Sequence, residues 1–246
     1  MDGRISIKLV EDDSKSELDC KIILLGNKGV GKTKLISYLN SINEINISSV
    51  LNPSFSMSSV INKTCDIDYS KITYKVNDDK IISLNIWDAS GHEKFDSITQ
   101  NFYQNAQLVI LMYDITDINS FNSIPFWYKK IKEKSEKYTR YALVGNKCEV
   151  NKRKVSYEQG KEYSDKENMN IFCEISANIG NGIPQLFDMI AHLLYKEILE
   201  YQVYLTTSGI NMSSFVGDSE PIVLSTPVNA EYKKEIKKVN KKNCSC

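Results

Sequence analysis

A three-layer α/β domain, with a six-stranded, mostly parallel sheet and helices on both faces, is the fold predicted for this 246-residue sequence. Three observations carry that expectation. From about Ser16 to Leu205, short apolar runs alternate with stretches whose apolar residues recur at helical spacing. The first run, Cys20–Leu25, leads into Gly26-Asn27-Lys28-Gly29-Val30-Gly31-Lys32-Thr33, a complete G-x-x-x-x-G-K-[ST] loop, and a helical pattern follows at once. Runs such as Cys20–Leu25 and Tyr141–Gly145 read as buried strands, which a parallel sheet covered on both faces requires.

Strands are expected at Lys21–Gly26, Ile67–Val76, Lys80–Trp87, Leu108–Asp114, Tyr141–Asn146 and Ile171–Ser176. Helices are expected at Lys32–Leu39, Phe95–Tyr103, Ser120–Lys137, Tyr157–Asn168 and Gly182–Tyr201. The second and third strands form a hairpin turning at Asn77-Asp78-Asp79. Ser156 is a natural N-cap for the helix at Tyr157, with Gln159 in capping-box position. The domain therefore spans 19–205, after a polar extension at 1–18. It is interrupted by a long Ser- and Asn-rich connection at 40–63 and followed by an aperiodic, flexible tail at 206–246. Within the tail, Ile222-Val223-Leu224 is an apolar patch with either a docking role or none.

Composition narrows the classes. With 31 basic and 31 acidic residues, no global field favours nucleic acid. The first 18 residues lack an apolar signal core, and no run approaches the ~20 apolar residues of a membrane span. Cys20, Cys65, Cys148 and Cys173 have neither disulfide nor zinc spacing and are expected as reduced thiols of a cytosolic protein.

The glycine loop is built for phosphate. Its glycines let backbone N–H groups curl around the anion, and the helix N-terminus faces the charge. Lys32 reaches the outer phosphates, and Thr33 offers a hydroxyl to Mg²⁺. Asp88, at the end of a later strand, is placed to hold Mg²⁺ through a water, and the Gly91 N–H to contact a γ-phosphate. Two further strands deliver Asn146-Lys147-Cys148-Glu149 and Ser176-Ala177-Asn178, which look like the two base-recognition loops of a guanine-nucleotide protein. The first normally ends in aspartate, whose carboxylate takes both guanine N–H donors; here Glu149 is one methylene longer. A misplaced charge-assisted pair costs ~1–3 kcal/mol, which bears on affinity more than on base identity.

The stretch Leu84-Asn85-Ile86-Trp87-Asp88-Ala89-Ser90-Gly91-His92-Glu93-Lys94-Phe95, continuing to Ala106, resembles the Rab branch of Ras-like small GTPases. Tyr113-Asp114-Ile115-Thr116, Ser120-Phe121, Trp127 and Val155–Gly160 fit the same family, and the resemblance runs from about Cys20 to Tyr201 and includes the chain end. It implies a P-loop G domain that binds GTP or GDP with Mg²⁺ and hydrolyses GTP. Gly26, Lys28, Gly29, Val30, Gly31, Lys32, Thr33 and Gly91 would then surround the phosphates. Asn146, Lys147, Glu149, Ser176, Ala177 and Asn178 would surround the base. The metal would rest on Thr33, Asp88 and a switch I threonine best matched by Thr64, with Ser59 the alternative. Tyr69, Trp87 and Phe102 match an aromatic trio shown to effectors, although aromatics packing on one another would look the same.

Departures from the family pattern bear on turnover. His92 stands where a glutamine usually orients the attacking water, so slow intrinsic hydrolysis is expected, with Lys32 and Gly91 as its partners in catalysis. Lys28 touches the γ-phosphate, hinders an activator's arginine or is simply solvated. Six lysines between Lys233 and Lys242 oppose Glu231 and Glu235, a local charge of +4, ahead of Cys244-Ser245-Cys246. That ending resembles doubly geranylgeranylated tails, and two lipids plus a basic patch anchor stably to an anionic leaflet. The resemblance thus implies a monomeric vesicle-trafficking switch cycling between cytosol and the cytoplasmic face of endomembranes. Its implied partners are effectors, an exchange factor, a GTPase-activating protein, a prenylation escort and a GDP-dissociation inhibitor. Two rivals stand beside it: a GTP-bound scaffold with little turnover, and an ATP-using P-loop kinase, which leaves both base loops unexplained.

Overall fold

A computed structural model describes residues 7–9, 18–44, 68–76, 80–88, 103–135 and 138–207. Strands β1 (Ile7–Leu9), β2 (Leu18–Leu25), β3 (Asp68–Val76), β4 (Lys80–Asp88), β5 (Leu108–Asp114), β6 (Arg140–Asn146) and β7 (Ile171–Ile175) form one sheet in the order β1-β3-β4-β2-β5-β6-β7. The helices are α1 (Lys32–Glu44), α2 (Ile118–Asn122), α3 (Ile124–Lys132), α4 (Tyr157–Lys166) and α5 (Ile183–Thr207). β2, β4, β5, β6 and β7 run parallel, and β3 returns antiparallel to β4 with Asp68 opposite Asp88.

Strand pleating divides the core between the two faces. Along β2, Ile22 and Leu24 point toward α1 and α5, while Ile23 and Leu25 point toward α3. β5 alternates likewise, with Ile110 and Met112 on the first face and Val109, Leu111 and Tyr113 on the second. Every residue of β5 is buried, and the strand carries no charge until Asp114 at its carboxyl end. The expected α/β sandwich is therefore present.

Four boundaries differ from expectation. Among the described residues the six expected strands are joined by a seventh, because β1, from the extension, pairs antiparallel with Tyr74–Val76 at the edge of β3. The alternation Ile5-Ser6-Ile7-Lys8-Leu9 is a strand signal short enough to miss, and the unpaired groups of an edge strand accept such a segment. α1 continues through Asn40 to Glu44, shortening the long connection: no Gly or Pro interrupts it, and Asn and Ser disfavour a helix by less than ~1 kcal/mol each. The helix expected at Ser120–Lys137 is two. Pro125 lacks an N–H and its ring would strike the preceding turn, so α2 ends at Asn122 and α3 restarts with Pro125 in its first turn. α5 runs two residues past the expected domain end at Leu205. The helix expected at Phe95–Tyr103 lies outside the described residues apart from Tyr103.

Other expectations hold locally. Ser156 Oγ accepts from the Gln159 N–H, and the Gln159 side chain accepts from the Ser156 N–H, completing the capping box of α4. Cys20, Cys148 and Cys173 are in no disulfide among the described residues, and burial pushes the Cys20 thiol up to about 12. Among the described residues no helix is long and apolar enough to cross a membrane.

Candidate functional site

The carboxyl ends of β2, β4, β5, β6 and β7 converge at one edge of the sheet. Between β2 and β5 the strand order reverses: α1, after β2, covers one face, and α3, after β5, covers the other. A crevice at such a reversal is where open α/β sheets bind ligands. The glycine loop lies there.

Within the loop, the Lys32 ammonium is buried and donates to the carbonyls of Gly26 at 2.6 Å and Asn27 at 3.1 Å. Its charge is thus held at the loop rather than released to solvent. Gly31 has φ +107°, and a Cβ there would overlap the Asn146 amide, so the loop passes too close to β6 for any side chain. Thr33 is exposed at the start of α1, and its hydroxyl donates to Asp88 Oδ2 at 2.7 Å. A hydroxyl beside a buried carboxylate, facing a helix N-terminus, is a hard-oxygen set of the kind Mg²⁺ with phosphate takes, so these residues fit that group. Lys28 is exposed, and Val30 is buried.

Asn146 joins three loops. Its Nδ2 donates to the Val30 carbonyl at 2.8 Å, and its Oδ1 accepts from the Ala177 N–H at 2.8 Å. The next residue, Lys147, takes φ +71° and pairs with Asp114 at 2.5 Å. Burial alone would raise the Asp114 carboxyl, but the bond from Lys147 and two from Thr116 outweigh it and hold the group below its ordinary range. Cys148 N–H donates to the Ile175 carbonyl at 3.1 Å, tying this loop to the end of β7. Glu149 and Asn178 are exposed, while Ser176 and Ala177 are buried. Ser176 Oγ accepts from the Ile179 N–H at 3.2 Å and closes the last turn.

That last loop rests on α1. Gly180 has φ +85°, and a Cβ there would overlap the Tyr38 hydroxyl and ring. Gly180→Ala is expected to cost ~1–3 kcal/mol, from backbone strain and overpacking together. For a chain of this size that lowers the melting temperature by roughly 2–10 °C in a thermal scan; no shift would mean the loop relaxes freely.

The sequence reading thus brings together Gly26, Gly29, Gly31, Lys32, Thr33, Asp88, Asn146, Lys147, Ser176 and Ala177 at one edge. Thr64, Ser59, Gly91, His92, Phe102, Cys65, Cys244 and Cys246 lie outside the described residues. Tyr69 and Trp87 do pack together, with ring centroids 4.7 Å apart, and Tyr69 donates to Asn85 at 2.6 Å. Two participants carried no assigned role in the sequence. Asp114 is an acid at a strand's carboxyl end, the same signal that singled out Asp88. Arg153, whose guanidinium grips both carboxylate oxygens of Glu174 at 2.6 Å, follows one base-type loop while Glu174 precedes the other. No local pattern announces that pair.

Comparison with known proteins agrees with this geometry. The sequence matches the Ras family over residues 21–196. It is 34% identical to the Ras-related protein Rab-11B of Dictyostelium discoideum over 208 residues, covering 82% of this chain and 88% of that protein. It is 34% identical to the Ras-related protein SEC4 of Candida albicans, over 74% of this chain and 80% of SEC4. Identity to human Ras-related protein Rab-30 is also 34%, over 72% of this chain and 80% of that one.

Proposed function

The chain belongs to the Ras family as a Rab-type small GTPase, and on that premise we propose that it is a guanine-nucleotide switch in vesicle trafficking. The observation that carries the reading is Asn146, whose single amide links the phosphate loop at Val30 to the Ser176-Ala177-Asn178 loop at Ala177. Three motifs far apart in sequence thereby address one ligand with a phosphate end and a base end.

In this reading Lys32 neutralises charge developing on the outer phosphate oxygens as water attacks the γ-phosphate in line. The Thr33 hydroxyl, with Asp88 through a water and Thr64 from switch I, would hold Mg²⁺, which supplies further positive charge at those oxygens when bound. Lys147, fixed on Asp114, flanks the base, and Glu149 reads the paired N–H donors of guanine. His92 orients the water less well than the usual glutamine, and Gly91 contacts the γ-phosphate, so turnover is slow without an activating protein. Ordering of the switch loops by the γ-phosphate would present Tyr69, Trp87 and Phe102 to effectors. Geranylgeranyl groups on Cys244 and Cys246, with the lysines before them, would hold the active form on the cytoplasmic face of endomembranes. An escort, an exchange factor and a GDP-dissociation inhibitor complete the cycle.

Displacement of a fluorescent GDP from the Mg²⁺-loaded protein by GDP, GTP or ATP tests the reading. Tight displacement by GDP and GTP, with ATP at least ~100-fold weaker, is expected, because adenine lacks the donor pair that a carboxylate takes. ATP competing as well as GTP would overturn it. Single-turnover hydrolysis then separates a slow switch from a permanently GTP-bound scaffold: activator-stimulated cleavage supports the switch, and none with or without activator supports the scaffold.

A further inference from the structure

Asn27, the second residue of the phosphate loop, spends both ends of its side chain on the junction between α2 and α3. The Trp127 indole Nε1–H donates to Asn27 Oδ1 at 2.7 Å, and Asn27 Nδ2 donates to Ser123 Oγ at 2.9 Å. Ser123 Oγ in turn donates to the Asn119 carbonyl at 2.8 Å, so donors and acceptors balance along the chain of bonds. On the other side, the Asn27 backbone carbonyl accepts from Lys32 Nζ at 3.1 Å. A continuous path therefore runs from α3 through Asn27 to the Lys32 ammonium of the glycine loop.

The path has a rigid outer end. Trp127 is buried in the α3 side of the core, 8% exposed, so its indole can scarcely follow a loop that moves. It sits in the first turns of α3 because Pro125 restarts the helix just before it. Phe126, 60% exposed, meets the Trp127 ring edge-on at 5.3 Å, so the surface of α3 is in contact with the anchor.

We propose that Trp127 and Ser123 are positioning residues for the phosphate loop: they hold Asn27 so that its carbonyl aims Lys32, and thereby slow nucleotide release. Neither residue belongs to the loop itself. The proposal rests on the guanine-nucleotide reading above and assigns control of release within that same site.

Release of fluorescent GDP from the full Mg²⁺-loaded chain, chased with excess GDP, tests it alongside thermal unfolding. Trp127→Phe keeps the ring and removes the N–H donor, and is expected to release GDP about three- to ten-fold faster, the range one hydrogen bond spans. Ser123→Ala, a change too small to threaten folding, is expected to accelerate release about two- to five-fold. The pair Asn27→Ala and Trp127→Phe combined should release no faster than Asn27→Ala alone, since both break one path. Native release rates in both Trp127→Phe and Ser123→Ala would overturn the proposal, as would a double variant whose acceleration is the product of the singles. Lower melting temperatures with unchanged release would overturn it too, showing bonds that serve only α3. A native protein that retains no GDP would instead overturn the guanine-nucleotide reading itself.

Discussion

Asn146→Ala is expected to cripple both the fold's functional edge and its ligand affinity. The substitution leaves the Val30 carbonyl and the Ala177 N–H without the partner that each has at 2.8 Å. Asn146 is 2% exposed, so water cannot easily replace it. Each orphaned buried group costs ~1–3 kcal/mol, giving about 2–6 kcal/mol together. At ~2–4 °C per kcal/mol for a chain of this size, the melting temperature falls by roughly 4–24 °C. GDP affinity should fall at least ~100-fold, because the phosphate and base loops lose their common reference as well as contacts of their own. Asn146→Asp discriminates the two arms: it keeps an acceptor for Ala177 but sets an oxygen against the Val30 carbonyl. Its phosphate-loop defect should therefore persist. A melting temperature within 1–2 °C of native for Asn146→Ala, by scanning calorimetry, would show that the loops are held by something else.

Arg153→Ala should damage stability more than nucleotide chemistry. Both terminal guanidinium nitrogens reach Glu174 at 2.6 Å, and Nη1 also donates to the Val155 carbonyl at 3.1 Å. The bonds to Glu174 raise the Arg153 guanidinium above its already high ordinary value, so the arginine is charged throughout the accessible pH range. Removing the arginine takes a bidentate cation from a carboxylate whose side chain is 5% exposed. Breaking a buried pair costs ~3–5 kcal/mol; with the Arg153 side chain 35% exposed, about 3 kcal/mol is the better expectation. That corresponds to a fall of roughly 6–12 °C in melting temperature. Arg153→Lys keeps the charge without the fork and should recover less than half of it. GDP affinity should change less than ~10-fold, because the pair stands behind the base loops rather than against the ligand. The combined change Arg153→Met and Glu174→Leu is expected to restore most of the stability, since an apolar pair of similar volume removes the buried charge together with its counter-ion. A double variant as unstable as Arg153→Ala would show that the charges themselves are required.

These two sites mark different degrees of legibility. Asn146 stands out in the sequence because a dipeptide at a strand's carboxyl end, after an apolar run, has a local signature, and the structure does place it at the end of β6. Arg153 and Glu174 were not, since 21 residues separate them and each alone looks like an ordinary charged residue. Trp127 and Asn27 meet across 100 residues, and only packing of α3 beside the phosphate loop brings them to 2.7 Å. β1 was missed for another reason. A three-residue strand has too little periodicity to stand out, and its existence depends on the exposed edge of β3.

By itself the sequence determined the alternation of strands and helices, the glycine loop between β2 and α1, and the residue types that a phosphate and a guanine base call for. Those follow from local rules: apolar spacing selects the element, and glycine, proline and capping side chains set its ends. Tertiary structure alone decided which of those residues share one amide, which charges pair, and which aromatic ring holds the loop. Such contacts join segments tens of residues apart, and their geometry depends on how two helical layers pack against the twisted sheet. The division at Pro125 shows both levels at once. A single residue breaks the helix by its own chemistry, while the fold turns the break into the junction on which Asn27 is held.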